Sequence, residues 1–569
     1  MKKIFAFAFI LIAFKLNAQI GPDLYLIEFA DKNNTPYTLN NPQEYLSERA
    51  INRRNAQNIA IDSLDLPVNA SYIEALVDLG LEIHNVSKWM NSAVVRTDNY
   101  SLVLQARNLP FVKSESRFEI DTVQNRGRSR GNSLEKSSKR PTNMNKIISD
   151  ISIEPKLDML DYGFSYLQFT MHNGQLLHED GYMGEGMLIA VIDGGFYKAD
   201  IMPSLARLRD NNKIIATRDF SYGDGNVYDH HTHGSMVLSI MAGYDPGRLI
   251  GTAPEADYLL ITSENGEYEE LVEEFNWISA IEYADSMGAD MANVSLGYVD
   301  FDSERYNHAY EDMNGQTCPS SIGAEIAASR GMLVFVAAGN SGNDENGHVW
   351  IGAPCDAENV IAVAAVRFNE NTAPFTSHGI CTENRIKPDV ASDGWGTIVD
   401  YVGDSITTGN GTSFATPVMC GLTACFWQKF RDKTSAEIRN ILLESTRPTH
   451  PRDEEDITCT TGFPNIYVGR GIVDFAVASE NLTGTKAALP DYIDINIFPN
   501  PTSDSVTISI NPDKSMCVNI FSLDGRLMDY RKNISGTFKY DFGKYANGEY
   551  VISFSIDNKV VKTESIVKR

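Results

Sequence analysis

Four polar residues stand where apolar runs give way to glycine, and their types would suit nucleophilic hydrolysis. Asp193 closes MLIAVID before Gly194 and Gly195, Ser295 closes MANVS before Leu296 and Gly297, and Asn340 closes LVFVAAGN before Ser341 and Gly342. The fourth, Ser413, follows Gly411-Thr412 and precedes an apolar pattern at helical spacing (Phe414, Val418, Met419, Leu422). A hydroxyl at a helix start lies among unpaired backbone N–H groups, which favour a developing oxyanion. Each residue alone reads equally as a turn or cap. Pro417 sets Ser413 apart from an ordinary cap, because it deletes the N–H that would bond the Ser413 carbonyl.

The stretch DHHTHGSMV, residues 229–237, supplies a base. Met236, Val237, Ile240 and Met241 follow His233 at helical spacing, so His233 opens a buried helix while His230 and His231 remain in a polar loop. A metal reading of Asp229, His231 and His233 is the rival, since D-x-H-x-H begins some hydrolase metal sites; it needs further ligands that the other histidines, among them His308, His348 and His378, do not supply in their loop contexts.

These residues need a scaffold that gathers strand ends. From about residue 155 to 480, apolar runs without period-2 alternation (MLIAVID, ADYLLITS, ADMANVSLG, MLVFVAAGN) alternate with helical patterns. Such runs suit the interior strands of a parallel sheet covered on both faces, where ligands collect at the carboxyl ends. The expected fold is therefore an α/β three-layer domain. Residues 19–121 mix strand-like (DLYLIEF, SAVVRT) and helix-like (EYLSERAINRR, SYIEALVDLG) runs and read as a small α+β domain. Residues 492–569 carry short alternating strands and turn clusters, the pattern of a small antiparallel β-sandwich.

Between the first two lies a linker, 122–154, with seven bases (Arg126, Arg128, Arg130, Lys136, Lys139, Arg140, Lys146) and the acid Glu135 between Thr122 and Lys146. It contrasts with a chain whose net charge is −26, a balance that argues against nucleic acid as partner. Residues 481–491 form a second linker. Lys2 and Lys3, the apolar run Ile4–Phe14 and Ala18 lay out a signal peptide over residues 1–18, and no later stretch is long enough to span a membrane. With export, the seven cysteines meet an oxidising environment; Cys318 and Cys355 are a candidate pair, while Cys420 and Cys425 read as buried small hydrophobes.

Taken in order, Asp193 in AVIDGG, His233 in HGSMV, Asn340 in AAGNSG and Ser413 in GTSFATP resemble the motifs of the subtilisin-like serine peptidases, over residues of about 160 to 478. The resemblance implies a serine endopeptidase with Ser413 as acylated nucleophile, His233 as general base and acid, and Asp193 orienting the imidazole. It implies Asn340 as an oxyanion donor, Ser295, Leu296 and Gly297 as the segment pairing with substrate, and Ala337, Ala338 and Gly339 as a pocket wall. No cofactor is required; calcium, bound by many members, has no D-x-D-x-D-G loop here to assign it. Two departures stand out: Ser235-Met236 follow Gly234 in place of Thr-His, and Gly-Gly follows Asp193. By the same resemblance, residues 19–121 are a propeptide that inhibits its own enzyme, and the basic linker is the candidate region of self-cleavage. The tail, with IFPNPTSDSV and NGEYVISF, resembles the sorting domain of proteins exported by the type IX secretion machinery, which implies a secreted or surface-attached product. The rival from a third class is a non-catalytic surface binding protein on the same scaffold.

Overall fold

The computed structural model describes residues 24–118, 161–266, 268–344, 348–379, 381–382, 385–449, 464–484, 494–511, 515–522, 527–556 and 559–569. The signal peptide and the basic linker lie outside the described residues.

The large domain is built on a ten-stranded sheet. Its centre is seven parallel strands, in the spatial order Val390–Tyr401, Ile361–Arg367, Leu333–Ala337, Met291–Val294, Leu188–Asp193, Asp257–Thr262 and Ile214–Asp219. Alternation along one central strand shows why its sequence is continuously apolar. Ile189 and Val191 pack on the face that carries the helices His233–Ala242 and Thr412–Lys429. Leu188, Ala190 and Ile192 pack on the opposite face, under Val272–Met287 and Pro319–Ser329. Both faces are covered, as expected of a three-layer α/β domain.

Before it, a four-stranded antiparallel sheet (Leu24–Phe29, Glu82–Ser87, Ser92–Arg96, Val112–Phe118) carries the helices Ala70–Asp78 and Tyr100–Arg107 on one face. Its other face, through Leu24, Val94 and Phe118, sits on Val272 and Phe275 of the large domain. Where the two meet, charge is buried: Arg54 holds Asp65 at 3.0 Å and Asp285 at 2.8 Å with no side-chain exposure on any of the three. Arg53 also pairs with Asp285, and the Trp89 N–H donates to Glu282. The C-terminal region is two antiparallel sheets, of three and four strands, around one apolar core (Val506, Ile508, Val518, Ile520, Phe554), a small sandwich.

Cys420 and Cys425 are fully buried, but Cys318 and Cys355 do not pair. Both are free thiols: Cys318 Sγ is aimed at the Asp312 carbonyl at 3.6 Å and Cys355 Sγ at the Val336 carbonyl at 4.0 Å. They share an apolar cluster without presenting their sulfurs to each other.

Candidate active site

Asp193 ends its strand fully buried, and His233 opens its helix 1% exposed. The imidazole Nδ1 lies 2.9 and 3.0 Å from the two carboxylate oxygens, and the Gly194 N–H adds a bond of 2.8 Å to Oδ1. A carboxylate accepts from a ring N–H, so Nδ1 is the donor in this pair and Nε2 faces away from Asp193. That Nε2 is buried and has no hydrogen-bond partner. Close approach depends on glycine: a Cβ on Gly234 would stand 3.0 Å from the Asp193 Cβ and collide with the Gly195 carbonyl oxygen.

The departure at Ser235 acquires a local reason. Ser235 Oγ donates to the Tyr197 carbonyl at 2.8 Å, fastening the helix start to the loop after Asp193. Gly195, the second glycine after Asp193, has φ +146° and would place a Cβ 2.7 Å from the His231 backbone nitrogen, so the histidine loop lies directly over it.

The other histidines are engaged elsewhere. His230 stacks on Tyr222 with ring centroids 3.5 Å apart and bonds Asp224 at 3.0 Å. His231 Nδ1 accepts the His233 N–H at 3.2 Å, and Asp229 accepts from Asn226 at 2.6 Å. Asp229, His231 and His233 therefore do not converge as a metal cage.

Ser413 is the second residue of the helix Thr412–Lys429 and is 5% exposed. The carbonyl that Pro417 frees is not orphaned: Ser295 Oγ donates to it at 2.9 Å. Ser413 Oγ in turn donates to the Ser295 carbonyl at 3.2 Å, so the two serines form a reciprocal latch, with Asn293 Nδ2 supporting Ser295 Oγ at 3.0 Å. In this state the Ser413 hydroxyl is bonded to a carbonyl rather than to His233.

Asn340 is tied to the same turn. Its Oδ1 accepts from the Thr412 N–H at 2.8 Å and the Thr412 hydroxyl at 3.1 Å, while that hydroxyl accepts the Gly339 N–H at 3.0 Å. A backbone N–H must meet an acceptor, so the amide orientation is fixed and Nδ2 remains as a donor. Ala337 and Ala338 are buried at the end of their strand, leading into Gly339. Leu296 is buried beside Ser295, and Tyr298 beyond Gly297 exchanges backbone bonds of 2.7 and 3.0 Å with Ala353. The structure thus joins Asp193 to His233, and joins Ser295, Asn340, Ala337–Gly339 and Ser413 around one helix start.

Sequence reasoning missed a carboxylate group beside the site. Ser263, next after the strand Asp257–Thr262, donates its N–H to the Asp193 carbonyl at 3.1 Å, and Glu264 follows. Glu264, Glu269 and Glu273 bring carboxylate oxygens within 4.8 Å of one another, the group among the described residues close enough to share an ion. Glu273 accepts the Asn265 and Glu270 N–H groups at 2.7 and 2.9 Å, and Glu264 takes the Tyr298 hydroxyl. Burial pushes Glu264 up to about 7 and raises Glu269 and Glu273 well above the carboxylate range. The signal was the acid-rich run ENGEYEELVEE.

Comparison with known proteins agrees with this geometry. Residues 184–468 match the subtilase family, residues 24–137 the peptidase S8 propeptide domain of Bacteroidota, and residues 496–569 the secretion system C-terminal sorting domain. The chain belongs to the subtilase family and is a serine-type endopeptidase with a propeptide domain and a sorting domain for export to the cell surface or beyond. It is 29% identical to serine protease AprX of Bacillus subtilis (strain 168), over 58% of this chain and 74% of that protein. It is 27% identical to subtilisin DY of Bacillus licheniformis, over 53% of this chain and 93% of that protein. The prenylagaramide maturation protease PagA superposes with a TM-score of 0.42 at 20% identity, covering 55% of this chain and 99% of that one. Among the described residues, no helix is long and apolar enough to cross a membrane.

Proposed function

We propose that this chain is an exported endopeptidase that cleaves peptide bonds through an acyl-enzyme on Ser413. The observation that carries the reading is the buried Asp193–His233 pair, which orients the imidazole and leaves Nε2 without a partner. Substrate binding draws Ser413 Oγ from the Ser295 carbonyl to Nε2; catalytic hydrogen bonds of this kind commonly tighten only in the substrate complex. His233 then takes the hydroxyl proton as Oγ attacks and returns it to the leaving amine, while Asp193 stabilises the imidazolium. The oxyanion is received by Asn340 Nδ2 and the Ser413 N–H, the latter free in the first helical turn.

Ser295, Leu296 and Gly297 pair with the extended substrate, and Ala337, Ala338 and Gly339 wall the pocket for the residue before the cut. The propeptide is the intramolecular inhibitor and the basic linker, 122–154, its region of self-cleavage. The type IX secretion machinery recognises the C-terminal sandwich and removes it. The reaction needs no metal or other cofactor.

Labelling with a fluorophosphonate probe tests this. The secreted wild type labels with or without chelator, and Ser413→Ala does not. A processed wild type that never labels and never hydrolyses peptide is a silent binding scaffold; hydrolysis abolished by chelation belongs to a metal enzyme.

A further inference from the structure

Behind the nucleophile turn lie two buried polar atoms that the chemistry above does not use. Gln168, on the helix Tyr166–Thr170, is 2% exposed, and Asp393, on the strand Val390–Tyr401, is 4% exposed. Gln168 Oε1 accepts the Ile398 N–H at 3.1 Å, which fixes the amide and leaves Nε2 as a donor without a partner. Asp393 Oδ1 is likewise unpartnered. Both residues line one small cavity, about 10 Å³, with Phe164, Leu167 and Trp395. That is room for about one water molecule. Buried donors and acceptors are almost always satisfied, and leaving either orphaned is costly.

We propose that this cavity binds one structural water that accepts from Gln168 Nε2 and donates to Asp393 Oδ1, and that through it Asp393 is a positioning residue for Ser413. The inference rests on the serine-nucleophile reading above. Its path is short: the Gly394 carbonyl accepts the Gly411 N–H at 2.8 Å, and the Gly396 N–H donates to Asn410 Oδ1 at 2.8 Å. A Cβ on Gly394 would stand 2.9 Å from the Gly411 oxygen and 3.0 Å from the Ala415 Cβ. Strand 393–396 therefore braces the turn two residues before the nucleophile, and any shift of the strand reaches Ser413.

Burial also pushes the Asp393 carboxyl up to about 7. The cavity's other lining residues carry no ionisable side chain. Of the neighbouring groups, Arg367 stacks on Trp395 at 3.3 Å and His172 bonds the adjacent Ser392 at 2.8 Å. Protonation converts Oδ1 or its partner oxygen from acceptor to donor and disturbs the water's geometry, so the brace loosens as pH falls through 7.

The test measures kcat, KM and fluorophosphonate labelling rate against pH for the secreted, matured enzyme. Asp393→Asn and Gln168→Met each lower kcat about tenfold with KM little changed, and the double variant is no worse than the poorer single, because one water serves both. Asp393→Asn also loses one proton from the acid limb of the kcat profile. If Asp393→Asn does not fold, Gln168→Met, which deletes the donor at similar volume, carries the test. Unchanged kcat and pH profile in the singles, or multiplicative losses in the double, overturn the proposal while the wild type still labels. A wild type that hydrolyses peptides without labelling removes the serine reading, and this proposal with it.

Discussion

Gly234 and Asp193 are packed so closely that a single methyl group on the glycine would stand 3.0 Å from the aspartate Cβ. The helix that presents His233 can rest on the end of the Asp193 strand because its second residue has no side chain. Gly234→Ala is therefore expected to lift the helix start and break the 2.9 Å contact between His233 and Asp193. Misplacement by about 1 Å costs about 100-fold in turnover. Steady-state kinetics should show the loss in kcat, with circular dichroism close to wild type.

Asn340 serves two functions that substitution separates. Its Oδ1 holds the Thr412 N–H, while Nδ2 is free to donate. Asn340→Asp keeps the acceptor and removes the donor, so the melting temperature should hold while kcat falls about 100- to 1,000-fold. Asn340→Ala loses both and should also melt earlier. Equal kcat in wild type and Asn340→Asp would exclude the oxyanion role.

Glu264 makes stability fall as pH rises. Its carboxyl titrates near 4.5 when unfolded and at about 7 when folded, where burial retains the proton. The folded state then binds more protons between those values, so the stability present below 4.5 is lost progressively up to about 7. Glu264→Gln should stabilise the protein by roughly 2 kcal/mol at pH 8 and by nothing near pH 4, read from denaturant unfolding at each pH.

Asp285 is one of the groups by which the large domain holds the propeptide, through Arg53 and Arg54. Burial opposes its ionisation, but Arg53, Lys88 and Arg54 outweigh that and hold it at about 2, below its ordinary 3.8. A lowered carboxyl contributes above its unfolded value and fails only as pH falls from 3.8 toward 2, so mild acid leaves this grip intact. Asp285→Ala strands Arg54 without one of its two carboxylates, and breaking such a buried pair costs about 3–5 kcal/mol. Cleaved propeptide should leave this variant at least 100-fold faster at neutral pH, followed by fluorescence of a labelled propeptide.

The parallel sheet and the positions of Asp193, His233, Asn340 and Ser413 were readable because strand burial imposes unbroken apolar runs and glycine marks their ends. Pro417 pointed to an unpaired Ser413 carbonyl; that Ser295 Oγ would fill it was not readable, since the two are 118 residues apart. Nor was the Gln168–Asp393 cavity, which joins a helix and a strand with no shared pattern. The long strand Val390–Tyr401 escaped notice because VASDGWGTIVDY interrupts its apolar residues with Asp393, Gly394 and Gly396, the residues that brace the nucleophile turn. The Cys318–Cys355 pairing failed for the opposite reason: composition counts thiols but carries no direction for their sulfurs.

The loop before His233 is gathered by one side chain. Asp219 accepts the N–H groups of Ser221, Tyr222, Gly223, Asp224 and Gly225, at 2.6 to 3.3 Å. Those bonds run to the backbone, so Asp219 sets the path of the chain there, while the side chains of Tyr222, Asp224 and Asn226 are engaged with His230 and Asp229. Loss of the one carboxylate at Asp219 would therefore release five backbone positions on the approach to the catalytic histidine, whereas replacing any one of those five residues leaves its N–H in place.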